Sequence, residues 1–471
     1  MTWLKIALVI GSVISLMALL ARYQRRYQPH PELVRKAMHV GSGLIALALP
    51  WLFAEAWPVV LLTVISSLGM FAVKYVRTLR NNLGVVTGSV VRNTIGEICF
   101  PLGAGLLFLL AHGELLLYSI PLLILTFADA SAALIGVFYG VRRYTTDDGA
   151  KTLEGSLAFF QAAFLSTLVP LLLFTDVGRA ETLMIALVMG ILSMLLDATA
   201  WWGLDNFLIP ILSFLALRVF VEVELSYLVV QFFLTVALIL FVTFWRKRTT
   251  LNDSAVLATV VYGYLCWTLG GWRWMVPPLV LFLTYNVISP QDVERHARPY
   301  TVPVVLSVGA VGLFWLLLAN ALDRRSLFYF PYVLSFAAQL AMIGLARHRR
   351  AAPEDPAGRL LARYVLLGWG LLMIPFLIMA SPAWQSLAYA AIALSCVGVA
   401  AILFSLSQSG PQGYRNLTER WVIQALSAAL ASILGLAAVP DFRQPFAFRE
   451  RATVLLRRVG SLALSRNASV K

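Results

Sequence analysis

Ionisable residues recur through the first half of this 471-residue chain in short clusters that bracket apolar stretches. In HPELVRKAMHVGSG, Glu32, Arg35, Lys36 and His39 fall at i, i+3, i+4 and i+7, so one helical face holds an acid, two cations and an imidazole. Pro31 suits the first turn of that helix, where its missing N–H has no intrahelical partner. Snorkelling of Arg35 and Lys36 is the ordinary alternative, but it leaves His39 and the Gly41-Ser42-Gly43 that follows unexplained. In TGSVVRNTIGEICFPLGAG, Arg92, Thr94, Gly96 and Glu97 precede an apolar run, and Glu97 is either that helix's first buried carboxylate or a simple N-terminal charge. In LTFADASAALIGVFYG, Asp129 lies about 16 Å by helical rise from the C-terminal end of its span. The small residues around it, ending Gly136-xxx-Gly140, admit a close neighbour, either a ligand or a packed helix. KTLEGS, Lys151 to Ser156, sets an ammonium, the hydroxyls of Thr152 and Ser156 and backbone N–H groups at a helix start, which suits phosphate oxygens or a plain cap. DATAWWGLDNFLIP adds Asp197, Asp205 and Asn206, oxygen ligands of the kind Mg²⁺ takes, or again a cap.

The elements that must position these residues are membrane helices. A chain that is 60% hydrophobic and 13% charged, with a mean hydropathy of +0.81, is not a water-soluble globule. A span needs about 20 apolar residues, so the expected fold is all-α, a polytopic integral membrane protein of about 15–16 transmembrane helices. Apolar windows place spans near 4–21, 38–54, 57–73, 97–112, 116–139, 155–174, 182–199, 206–222 and 226–244, then near 254–269, 272–289, 302–320, 328–345, 361–380, 385–407 and 419–438. The first reads as a signal anchor with its N-terminus outside, because Arg22, Arg25 and Arg26 follow it. Threading alternately then puts the basic segments Tyr23 to Lys36, Lys74 to Arg92, Val141 to Lys151 and Arg246 to Arg248 in the cytoplasm, as the positive-inside rule requires. The stretch Ala346 to Arg359 reads as a cytoplasmic loop in which Arg347, His348, Arg349 and Arg350 are followed by a solvated Pro/Ala/Glu/Asp linker.

The formal charge of +14 is distributed in these loops rather than on one patch, so no nucleic-acid partner is expected. Cys99, Cys266 and Cys396 lie far apart and read as buried thiols. Four regions follow: an anchor at 1–28, a catalytic region at 29–248, a second helical region of unreadable role at 249–440 and a basic amphipathic tail at 441–471.

The threading brings nearly all the polar clusters to the cytoplasmic face, where nucleotides are available. Cations for phosphates, carboxylates for Mg²⁺ and a polar pocket for a hydroxyl describe phosphoryl or nucleotidyl transfer to a lipid. In order, PELVRKAMHVGSG, GSVVRNTIGE, ADASAALIGVFYG, KTLEGS and GLDNFLIP resemble the CTP-dependent isoprenoid-alcohol kinases, the phytol kinase and dolichol kinase family, over about residues 30 to 215. That resemblance implies CTP as phosphoryl donor, Mg²⁺ as cofactor, an isoprenoid alcohol such as phytol or a polyprenol as acceptor, and a multi-pass enzyme of the bacterial cytoplasmic membrane with its site facing the cytoplasm.

By motif the resemblance implies His39 and Asp129 as catalytic, with His39 orienting or deprotonating the acceptor hydroxyl. Arg35, Lys36, Arg92, Lys151, Thr152, Glu154, Gly155 and Ser156 are expected around the nucleotide, and Asp129, Glu97, Asp205 and Asn206 around the metal. Two positions depart from the pattern: Phe127-Ala128 precedes Asp129 where an acidic-glycine run is common, and Asp197 stands where Glu is expected. A cytidylyltransferase making a CDP-activated lipid would use similar residues, and the span count alone would also suit a lipid transporter. Because all five motifs end by Pro210, a fragment of residues 1–248 is expected to insert correctly and retain CTP binding and lipid phosphorylation in detergent. An inserted fragment that binds no CTP would contradict that boundary.

Overall fold

A computed structural model describes residues 1–87, 94–146, 149–199, 201–245, 249, 251–285, 288, 300–322, 324–352, 354–379, 383–407 and 417–439. Arg92, Arg246 to Arg248 and the tail at 441–471 lie outside the described residues. The chain divides into two compact units, Met1–Leu240 and Phe241–Lys471.

The first unit begins with α1 (Thr2–Tyr27), α2 (Pro31–Leu47), the short α3 (Leu49–Leu52), α4 (Ala56–Tyr75), α5 (Arg77–Thr87), α6 (Gly96–Ala111) and α7 (Leu115–Leu123). A π-helical turn, Ile124–Ala128, leads from α7 directly into α8 (Asp129–Tyr139). An antiparallel hairpin of β1 (Arg143–Thr146) and β2 (Gly149–Thr152) then runs into α9 (Leu153–Phe174), followed by α10 (Arg179–Ala198), α11 (Asp205–Phe220) and α12 (Leu225–Trp245). The second unit contains α13 (Asp253–Gly270), α14 (Trp272–Thr284), α15 (Val302–Ala321), α16 (Arg325–Ala351), α17 (Ala357–Met379), α18 (Ala383–Leu406) and α19 (Leu417–Ala438).

The fold is all-α and polytopic. Among the described residues, 11 helices are long and apolar enough to cross a membrane. The number is smaller than the apolar windows imply because several windows hold short helices: α2 has 17 residues, α6 and α11 have 16 each and α14 has 13. At 1.5 Å per residue these fall short of a bilayer core of about 30 Å. Helix α2 starts well before its apolar window. His30 accepts the Glu32 N–H on its side chain at 3.3 Å and Pro31 opens the helix, so two polar turns precede the hydrophobic ones.

Helix α5, in a segment read as a loop, is amphipathic. Val86 is fully buried in a cluster with Met17 and Ala21 of α1, Val34 and Met38 of α2 and Val73 of α4, while Arg77 and Arg80 face outward.

The second unit is organised around α16, of whose apolar window 94% is buried. Its aromatic residues Tyr329, Tyr332 and Phe336 pack with Trp274 and Phe376. Trp274 is fully buried there, its ring 4.6 Å from that of Tyr332. The basic run after Ala346 is helical, whereas Glu354 and Asp355 of the linker that follows are exposed, as the sequence suggests. Helix α16 continues to Ala351, and Arg347 and His348 are buried, with Arg347 donating to the Tyr285 carbonyl at 2.7 Å and His348 Nε2 lying 2.7 Å from the Asp355 carboxylate. A carbonyl and a carboxylate thus offer hydrogen-bond partners to the buried guanidinium and imidazole.

The loop between α10 and α11 bears directly on the site. Gly203 has φ +81°, and a Cβ there would lie 2.5 Å from the Gly96 nitrogen and 2.6 Å from its Cα. The preceding Trp202 carbonyl accepts the Ile95 N–H at 2.9 Å, so loop and α6 start are locked backbone to backbone. Gly203→Ala is therefore expected to cost more than about 1 kcal/mol and to lower the melting temperature in detergent. Gly69→Ala, where nothing lies within 4 Å, is the matched control and should leave it unchanged or raised.

Candidate functional site

Three helical segments bring three carboxylates together. Asp129 opens α8, Asp197 lies in the last turn of α10 and Asp205 opens α11. One oxygen from each lies within 4.8 Å of the others. All three line a cavity of about 480 Å³ in the first unit. Like charges so close repel unless cations intervene, and two lysines do so. Lys36, 2% exposed, meets Asp129 Oδ2 at 2.5 Å, and Lys151 meets Asp197 Oδ1 at 2.8 Å while also donating to the Asp197 carbonyl. Burial works against the charge of Lys151, but the Asp197 and Asp205 carboxylates hold its ammonium above the usual lysine range.

The face read from the sequence exists. Arg35 pairs with Glu32, and both line the cavity with Lys36 and His39. His39 Nε2 lies 3.0 Å from the Leu125 carbonyl and 3.3 Å from Asp129 Oδ2, with its ring edge-on to Phe100. A carbonyl only accepts, so Nε2 carries the proton and Nδ1 is left as the basic nitrogen. The π-helical turn sets this geometry, because it presents the Leu125 carbonyl and starts α8 at Asp129. Gly43 lets α2 press against that turn, since a Cβ there would overlap Thr126 Oγ1 at 2.2 Å.

A second wall comes from α6 and the start of α11. Asn206 Nδ2 donates to the Gly96 carbonyl at 3.1 Å. Asn206 Oδ1, Asp205 Oδ1 and Glu97 Oε2 are buried oxygens without a hydrogen-bond partner among the described residues, on side chains that line the cavity. Oxygen-only donors with lone pairs left over fit a hard divalent cation such as Mg²⁺. Glu97 lines the same cavity but stands apart from the close trio, whose third member is Asp197.

The KTLEGS residues divide between site and scaffold. Thr152 caps α9 by accepting the Gly155 N–H at 3.1 Å, so that amide is already used. Glu154 does not line the cavity. Its carboxylate accepts the backbone N–H groups of Val141 and Arg142 at 3.0–3.2 Å and closes the base of the hairpin. Gly155 sits where a Cβ would lie 2.7 Å from the Ala132 carbonyl and 3.3 Å from Gly136 Cα, so the small residues of α8 accommodate α9. Ser156 Oγ bonds Tyr144 Oη at 2.8 Å across to β1.

Sequence reading missed the hairpin, although Tyr and Thr runs around Asp-Asp-Gly are a turn signal. It also left Lys74 as a loop basic residue, whereas its buried ammonium donates to the Thr94 carbonyl beside the site. The Lys36–Asp129 pair generates a test. Lys36→Met or Asp129→Leu alone strands a buried charge and is expected to cost about 3–5 kcal/mol, whereas the double variant should recover most of it. Denaturation of the four proteins in one detergent reads the cycle.

Comparison with known proteins gives one curated relative, the phytol kinase of Synechocystis sp. (strain ATCC 27184 / PCC 6803 / Kazusa). It is 29% identical over 214 residues, which cover 44% of this chain and 88% of the relative. No family model matches the chain, and no solved structure matches it. The matched stretch is less than half of this chain but nearly all of the relative. Over that stretch the similarity supports a relationship with the phytol kinase and dolichol kinase family.

Proposed function

We propose that the protein phosphorylates an isoprenoid alcohol at the cytoplasmic membrane face, with CTP as donor and Mg²⁺ as cofactor. The observation that supports this best is the convergence of Asp129, Asp197 and Asp205 with Lys36 and Lys151 in one cavity. Phosphoryl transfer needs positioned charge more than covalent chemistry from the protein, and this set supplies it.

Asp129, Asp197, Asp205 and the free Oδ1 of Asn206 would hold Mg²⁺, and Lys151 and Arg35 would take phosphate oxygens. Bound Mg²⁺ would neutralise charge on the triphosphate oxygens. The acceptor's hydroxyl oxygen forms the new bond to the γ-phosphorus as the bond to the β–γ bridging oxygen breaks, releasing CDP. His39 Nδ1 takes the hydroxyl proton, and the Leu125 carbonyl holds the imidazole in the tautomer that allows it. Lys36 would hold Asp129 in place rather than bind substrate directly.

Purified protein in nanodiscs with CTP, Mg²⁺ and phytol or a short polyprenol should release CDP and form the lipid monophosphate, and EDTA should abolish turnover. Pyrophosphate release with a phospholipid acceptor would replace this reading with a cytidylyltransferase, and lipid movement in liposomes without CTP turnover would replace it with a transporter. Lys151→Ala should abolish turnover with the fold retained. His39→Ala should lower kcat by about 10²–10⁴-fold, the range for general-base catalysis. Near-normal activity in Lys151→Ala would reduce that residue to a structural partner of Asp197.

A further inference from the structure

The charges lining the cavity do not, as paired, leave an obvious place for a polyphosphate. Glu32, Glu97, Asp129, Asp197 and Asp205 contribute carboxylates, against the lysines and arginines Arg35, Lys36, Arg143 and Lys151. Three of those cations are already committed, Arg35 to Glu32, Lys36 to Asp129 and Lys151 to Asp197. Among the described residues Arg143 lines the cavity without a side-chain carboxylate partner, and it is exposed at the rim.

Its backbone is nevertheless fixed. Arg143 pairs in register with Thr152, the cap of α9. The Leu153 N–H donates to the Arg142 carbonyl at 2.8 Å, Glu154 clamps the amides of Val141 and Arg142, and Tyr144 is tied to Ser156 at 2.8 Å. A guanidinium on a paired hairpin strand, lining a cavity and without a carboxylate partner among the described residues, is suited to bidentate capture of phosphate oxygens. The side chain is held in place at its root and available at its tip, whereas Lys151 on the facing strand must first release Asp197.

We infer that Arg143 is a phosphate-binding residue of this cavity, taking the polyphosphate of the donor nucleotide as it enters. The inference rests on reading the cavity as a nucleotide site. An anionic lipid headgroup presents the same phosphate oxygens, so the experiment separates the two sources.

Full-length protein in nanodiscs of neutral lipid is titrated with Mg-CTP and with Mg-tripolyphosphate, and turnover is measured against CTP and against alcohol. Arg143→Ala should weaken binding of both probes and raise the KM for CTP by about tenfold or more, as expected for loss of a charge-assisted bond. The KM for alcohol and the melting temperature should stay unchanged. Arg143→Lys should recover part of the loss. Arg142→Ala removes an equal charge from the neighbouring position, which does not line the cavity, and should change nothing. Wild-type affinity in Arg143→Ala overturns the inference and leaves the kinase reading standing. The same holds if the variant loses only its response to added anionic lipid, which would make Arg143 a headgroup contact. A wild-type protein that binds neither probe overturns the nucleotide reading, and the role of Arg143 with it.

Discussion

An aspartate in the middle of a membrane-crossing helix is tolerable only if a cation reaches it, and the first unit is built so that one does. Asp129 belongs to the apolar segment Leu115–Tyr139, and Lys36 of α2 meets it at 2.5 Å while almost wholly buried. A charge left alone at that depth would cost several kcal/mol, so α2 and α8 must lie side by side with their polar positions in register. The other features of the site accommodate that contact. Gly43 allows the approach of α2, the π-helical turn brings Asp129 and the Leu125 carbonyl to the same face, and His39 follows one turn after Lys36 to meet both.

The same requirement organises the rest of the acidic centre. Asp197 and Asp205 arrive from the two ends of one short loop, whose path is fixed by Gly203 against Gly96. Lys151 arrives on a hairpin held by Glu154 and Tyr144. Lys36 and Lys151 each come from a different element from the aspartate they meet, so the acidic centre forms only when the unit has packed. Residues outside the acidic centre, Glu154 and Thr152 among them, serve it through the backbone. They hold the backbone from which Lys151 projects.

Much of this was legible in the sequence because the signals are long or periodic. Apolar windows at 57–73, 116–139 and 155–174 fall on Ala56–Tyr75, Leu115–Tyr139 and Leu153–Phe174, and the i, i+3, i+4, i+7 spacing of Glu32, Arg35, Lys36 and His39 becomes one cavity wall. The missed features depend on tertiary contacts. Hydropathy hides the first two turns of α2, because their polar residues face a cavity instead of water. Nothing local marks the π-helical turn, and a four-residue strand pair is too short for alternation to stand out. Asp197 is visible in the sequence as a candidate oxygen ligand beside Asp205 and Asn206, but its closeness to Asp129 depends on how α8, α10 and α11 pack. Glu154 sits within a motif that suggests phosphate, yet its carboxylate finds backbone amides first.

The pairing also bears on how such a site admits an anionic substrate. A cavity prepared with unpaired lysines would be costly in a low-dielectric setting, and one with unpaired aspartates would repel a triphosphate. Pairing each with the other makes the empty cavity stable and keeps both sets of charges close to where a metal-bound polyphosphate would need them. When such a substrate enters, an aspartate that exchanges its lysine for a divalent cation, and a lysine that exchanges its aspartate for a phosphate oxygen, leave no charge uncompensated. Exchange of partners thus replaces desolvation of new charges. Lys151, part exposed and on a hairpin, is placed to make that exchange, while Lys36, sealed between α2 and α8, is placed to stay. The two lysines differ in burial rather than in chemistry, and on the proposed function that difference would divide binding from positioning within one cavity.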